Sequence, residues 1–254
     1  MYAAPFDRNA FLAELSAGDF DLLRPHLTGF DLAVGGQLQH AGAPIKQVIF
    51  PHGGLIAMTM PLRNGGGGGA ILVGSEGVLG GLEAAAAAPA MCDADVYIRG
   101  RAAQISASAF RHVLDQSPTI RRLAGRYNAA LTAQAHQTAL CNAAHPVEAR
   151  VSRWLLEVLD RGPGFDVHLT QGALALMLGV QRTTVNLAVG RLEAAGIINC
   201  RRGYIQIIRR EQLERHACEC YGNIKSYLSH LFAVPAPILE STARSSSALS
   251  ELAS

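Results

Sequence analysis

No apolar run in the chain reaches the roughly 20 residues that a membrane-spanning helix needs. The start, MYAAPFDRNAF, lacks the basic cluster and apolar stretch of a secretory leader. Both absences predict a cytoplasmic protein with no membrane partner. The five cysteines (Cys92, Cys141, Cys200, Cys218 and Cys220) are odd in number and widely scattered, which argues against a disulfide framework. The glycine run NGGGGGA has no Gly-Lys-Ser/Thr ending, so it reads as a flexible turn and not as a phosphate loop. There is no metal-ligand spacing, nucleophile elbow or paired carboxylate, so neither an enzyme nor a cofactor or metal site is expected. Cys218 and Cys220 stand two apart on an expected helix, where their side chains would diverge and simply pack.

What the 254 residues do hold is suited to a folded protein: 49% are hydrophobic and 17% charged. The net charge of +2 is uninformative, but its distribution is not. Between Val180 and Arg215 seven arginines stand against Glu193, Glu211 and Glu214, a local excess of four positive charges. This basic stretch overlaps LTQGALALMLGVQRTTVNLAVGRLEAAGIINCRRGYIQII, residues 169–208. Thr170 can cap a helix whose apolar members are Ala173, Leu174 and Met177, and Gly179 permits a tight turn. A second helix follows from about Gln181 to Ala195, with Val185, Ala188, Val189, Leu192 and Ala195 on one stripe. Arg182, Thr183, Asn186 and Arg191 fall off that stripe and can hydrogen-bond outward. Gly196 ends it, and the β-rich runs 197–200 and 204–208 flank Arg201-Arg202-Gly203. Two helices across a short turn, then an arginine-tipped hairpin, predict a winged helix-turn-helix that reads DNA.

Upstream, residues 7–27 predict one or two short amphipathic helices with a break at Ser16–Asp19. Short β-type runs follow at 30–34, 47–51, 55–61, 70–73, 96–99 and 102–106, spaced by glycine-rich turns, as in a sandwich or barrel. Ser117-Pro118 opens a long helix in which Ile120, Leu123, Tyr127, Leu131, Ala135, Thr138 and Cys141 recur on one side. That stripe predicts a two-helix dimer seam, with packing on its own β-domain as the alternative. His145-Pro146 closes the helix, residues 147–161 form another, and Arg209–Leu231 forms a closing one. The Ser/Ala/Pro-rich end from residue 233 is expected to be a flexible tail.

The order of these parts resembles the Crp/Fnr superfamily of bacterial transcription regulators. The likeness spans residues 10–230 and is carried by NAFLAELSAGDFDLLRPHL, GSEGVLGG, the helix-turn-helix and ACECY at 217–221. It implies an α+β fold with an N-terminal cyclic-nucleotide-binding-like β-barrel (jelly roll) at 1–116. A long dimerisation helix at 117–145 and a winged helix-turn-helix DNA-binding domain at 146–232 complete it, with the tail at 233–254. The cyclic-nucleotide cassette of that superfamily is eroded here. Gly74 is followed by Ser75-Glu76, and AAAAAPAMCDADV carries no Arg-Ser pair to hold a cyclic phosphate. Gly74, Glu76 and Gly77 remain the candidate effector contacts, for an unknown small molecule. A four-thiolate iron–sulfur cluster is not expected either, since Cys92 is the only cysteine before Cys141.

Many members open the recognition helix with Arg-Glu-x-x-x-Arg. Here Arg182 is kept, while Thr183 replaces the acid and Leu187 the second arginine, so the operator of those relatives does not carry over. The resemblance implies Arg182 and Asn186 at base edges and Thr183 at a base or the backbone. It also implies Thr184, Thr170 and Gln171 at phosphates, and Arg201 and Arg202 at the phosphate or minor groove of double-stranded DNA. The implied assembly is a homodimer on a palindromic operator, with RNA polymerase as a further candidate partner. The rival reading is an interaction or effector-sensing module whose winged helix contacts a protein partner.

Overall fold

The computed structural model describes residues 9–63, 67–161, 166–167, 169–201 and 204–233. It opens with α1 (Ala10–Ala13) and α2 (Ala17–Leu23). Each starts on a side chain that accepts from a free amide: Asn9 from Leu12 at 3.3 Å and Ser16 from Asp19 at 3.1 Å. The expected break at Ser16–Asp19 is therefore the cap and first turn of α2. Asn9 is buried, and its amide donates to the carbonyls of Pro51 and Gly77, each at 2.9 Å, so it also pins the N-terminal cap onto the β-domain.

Seven described strands follow: β1 (Thr28–Leu32), β2 (Gln37–Gln39), β3 (Gln47–Pro51), β4 (Leu55–Pro61), β5 (Gly67–Val73), β6 (Asp93–Ile98) and β7 (Gly100–Ser106), with α3 (Gly81–Ala86) between β5 and β6. They pair antiparallel in two sheets, ordered β1-β7-β3 and β2-β6-β4-β5. Alternate residues point inward, so Leu32, Ile49 and Ala102 of one sheet meet Ile56, Met58, Val73 and Val96 of the other. Outside that sandwich, Phe11, Phe50, Phe110 and Tyr127 form an aromatic chain with centroids 5.4–6.2 Å apart. It fixes α1, α4 (Ala107–Gln116) and α5 (Pro118–Ala144) to β3.

The long helix α5 corrects the expected seam. Ile120, Leu123, Tyr127, Thr138 and Cys141 are buried within their own chain, against α3, α4, β5 and a helix from the C-terminal end. The side left exposed carries Gly125, Thr132, His136, Ala139 and Leu140. Periodicity reports that a face is covered, not which chain covers it.

After α6 (Val147–Arg161) come β8 (Asp166–Val167), α7 (Gln171–Leu178), α8 (Arg182–Ala194), β9 (Ile198–Arg201) and β10 (Tyr204–Ile207), with sheet order β8-β10-β9. The expected single closing helix is two, α9 (Arg210–His216) and α10 (Cys220–Ala233). The chain leaves helical geometry at Ala217 (φ −73°, ψ 149°), and α10 then returns along α5 to set Phe232 on Tyr127 at 4.9 Å. Cys218 lies in the break and Cys220 opens α10, so the premise that both sit on one helix and diverge fails.

The two halves share one core. Leu55, Ala57, Ala70, Leu72 and Ile98 of the β-domain pack with Trp154, Leu155, Leu174, Met177 and Val185. Part of the glycine run makes this possible. Gly67 and Gly68 are strand residues, and a Cβ on Gly68 would come within 3.0 Å of Gly179 Cα. The flexible-turn reading is thus corrected at Gly67–Gly69, which are strand residues, with backbone approaching backbone at Gly67 and Gly68, while Asn64–Gly66 lie outside the described residues. Residues 234–254, most of the expected tail, also lie outside them. No described helix is long and apolar enough to cross a membrane.

Candidate nucleic-acid interface

Thr170 accepts from the Ala173 amide at 3.1 Å and caps α7 as expected. Leu174, Ala175, Met177 and Leu178 then turn inward. Gly179 closes the helix at φ +64°, a left-handed conformation that glycine adopts without strain. Three residues separate Leu178 from α8, whose Val185, Ala188, Val189 and Leu192 are buried against α6 and α7. Helical geometry then sends Arg182, Thr183, Asn186, Leu187 and Gly190 to the opposite, exposed side. Gln181 gives α8 no side-chain cap, so no side chain of that residue occupies the amides at the positive end of the helix dipole, as an anion site requires.

Among the described residues no hydrogen bond or ion pair holds the side chains of Arg182, Thr183, Asn186 or Arg201. Other arginines of this segment are spoken for. Arg191 reaches Glu148 at 3.3 Å, and Arg210 is held by Asp160 at 2.6 Å and Glu214 at 2.9 Å. The basic stretch therefore divides into arginines that tie helices together and arginines that stay available to an anion. Beside α8, β9 and β10 pair from Ile198↔Ile207 to Arg201↔Tyr204, with Arg201 exposed at the open end. Arg202, expected at the tip, lies outside the described residues. Thr170 is exposed, while Gln171 and Thr184 are half-buried at the edges of the same surface.

The candidate effector residues are differently placed. Glu76 accepts from the Gly74 amide at 3.2 Å and from Arg161 of α6 at 2.6 Å. The Gly77 carbonyl takes the Asn9 amide, and a Cβ there would meet Val73 at 2.8 Å. This turn is a junction between β-domain and α6, a role that a motif comparison limited to residues 74–83 gives no signal for. Leu187, noted from the sequence only as the replacement for a second arginine, also belongs to the outward surface. It is 68% exposed on the polar side of α8, and its signal was its place in that helix's outward stripe.

Residues 149–216 match the family of Crp-like helix-turn-helix domains. No curated protein matches the chain. Its fold is similar to FixK2 of Bradyrhizobium japonicum, with TM-score 0.66, 19% identity, and 76% of this chain and 98% of that one covered. It is similar to a Crp/Fnr-family putative transcriptional regulator of Eubacterium rectale, with TM-score 0.68, 13% identity, and 83% and 98% covered. It is also similar to the c-di-GMP-responsive regulator CLP of Xanthomonas campestris, with TM-score 0.64, 15% identity, and 76% and 99% covered. The chain thus has the fold of the Crp/Fnr transcription regulators, and its segment 149–216 belongs to the Crp-like helix-turn-helix domains.

Proposed function

We propose that the protein binds a palindromic operator as a homodimer and reads each half-site with the outward side of α8. The observation that carries this is the exposed set Arg182, Thr183, Asn186 and Leu187, none held by a side-chain hydrogen bond or ion pair among the described residues. Arg182 offers a bidentate fork to guanine and Asn186 a donor–acceptor pair to adenine, while Thr183 contacts a base or the backbone. Leu187, in place of a second arginine, gives an apolar contact of the kind a thymine methyl accepts. Thr170, Gln171 and Thr184 stand at helix starts for phosphate, and Arg201 and Arg202 extend the grip from the wing.

The dimer seam assigned here is the exposed side of α5, with Gly125, Thr132, His136 and Ala139 at spacings of three, four and seven. Gly74, Glu76 and Gly77 stay the effector candidates. A ligand that claimed Glu76 would have to release Arg161, and so would act on α6. RNA polymerase is a further partner if the regulator activates.

Fluorescence anisotropy on the protein's own upstream DNA tests the reading. Arg182→Ala should weaken specific binding by about 1–3 kcal/mol and relax preference at one position. Arg201→Ala should weaken all sequences alike and lower the log–log salt slope by about one. Binding that ignores both sequence and salt would sink the proposal, and the winged helix would then belong to a protein partner.

A further inference from the structure

Four donor atoms gather where α5 ends and the α9–α10 connection passes: Cys141 Sγ, a ring nitrogen of His145, Cys218 Sγ and Cys220 Sγ all lie within 4.8 Å of one another. Cys141 Sγ is 3.5 Å from Cys218 Sγ, and Cys220 Sγ is 3.5 Å from His145 Nδ1. A tetrahedral zinc with bonds of about 2.3 Å to sulfur and about 2.0 Å to nitrogen sets sulfur–sulfur edges near 3.8 Å and sulfur–nitrogen edges near 3.5 Å. From these distances we infer that Cys141, His145, Cys218 and Cys220 bind one zinc ion per chain.

Three further observations support a site over packed thiols. All three cysteines are buried, yet among the described residues the only apolar side chain packed against their cluster is the half-buried Ala149, so apolar packing does not explain them. The second imidazole nitrogen, Nε2, is 3.1 Å from the Glu219 carboxylate, the arrangement that orients a zinc-bound histidine. Three thiolates and a neutral imidazole on Zn²⁺ leave one negative charge, and the buried guanidiniums of Arg150 and Arg153 lie alongside, donating to Asn142 at 2.7 Å and Thr138 at 3.4 Å on either side of Cys141. Loading would send three thiol protons to solvent with no change of oxidation state. It would clamp the end of the long helix, at the entrance to α6, to the connection that leads into α10.

The test uses the full chain purified under reducing conditions without chelator. Native mass spectrometry and elemental analysis should find one zinc per chain. Titrating cobalt into the metal-free protein should give thiolate charge-transfer absorption and the visible bands of a tetrahedral ion. Cys218→Ser should lose both bands and Cys200→Ser keep them, while Glu219→Gln should weaken metal affinity by about 10–100-fold. Should Cys218→Ser fail to fold, the wild-type cobalt spectrum decides. Absence of stoichiometric metal, a cobalt spectrum that survives Cys218→Ser, or a Cys141–Cys218 disulfide in the reduced preparation would overturn the inference.

Discussion

Asp160, near the end of α6, accepts from Arg210 at 2.6 Å, from Tyr221 at 2.7 Å and from Lys225 at 3.5 Å. One carboxylate thus joins α6, α9 and α10. Burial pushes its pKa up, but the hydrogen bonds from Tyr221 and Arg210 outweigh that and hold it below the ordinary value. A carboxyl depressed in the folded state contributes stability that is complete above the unfolded pKa of about 3.9 and is lost as pH falls through the folded value. Asp160→Asn should therefore lower neutral-pH stability by about 1–3 kcal/mol and flatten the loss of stability below about pH 5. Urea midpoints measured across pH for both proteins check it; parallel curves would contradict it. Single residues of the interface were legible in the sequence where spacing alone sends a side chain outward, as for Arg182, Thr183 and Asn186. Asp160 was not, because its three partners lie 50, 61 and 65 residues away.

Among elements, β3, β4 and α6 form over the ranges their residue patterns predict, since strand alternation and helical stripes are local properties. β2 and β8 had no such signal: at three and two residues they exist only because β6 and β10 offer them hydrogen bonds. Glycines show the same division. A Cβ on Gly67 would lie 2.8 Å from the Met60 carbonyl and 3.2 Å from Leu176 Cδ1, whereas Gly222 in α10 has open space around it. Gly67→Ala should thus cost about 1–3 kcal/mol by overpacking the β5–α7 contact, and Gly222→Ala should gain about 0.5–1 kcal/mol by helix propensity. Thermal or urea unfolding of both variants reads the opposite signs; equal shifts would show that β5 and α7 do not meet so closely in solution.

For the whole molecule, the consequence of burying the periodic side of α5 is that the proposed dimer has only the other side of that helix to use. Ala139→Arg should turn the dimer into a monomer by analytical ultracentrifugation and weaken operator binding at least tenfold, because each half-site then acts alone. A dimer that persists in this variant would move the seam elsewhere. The shared core adds a second consequence. Glu76 and Arg161 join the β-domain to α6 at 2.6 Å, and Gly68 meets Gly179, so α6 and α7 are both packed directly against the β-domain.

By itself the sequence determined the DNA-reading unit. Capping by Thr170, the turn at Gly179 and the polar side of α8 depend on residues within a few positions of one another, and helical geometry does the rest. Only the tertiary structure decided which partner covers α5, why Gly67 and Gly68 must lack side chains, and that Cys141, His145, Cys218 and Cys220 converge. The cysteine–histidine convergence and the Gly68–Gly179 approach join segments some 75 to 110 residues apart, and no local periodicity encodes the neighbour that a folded chain brings alongside.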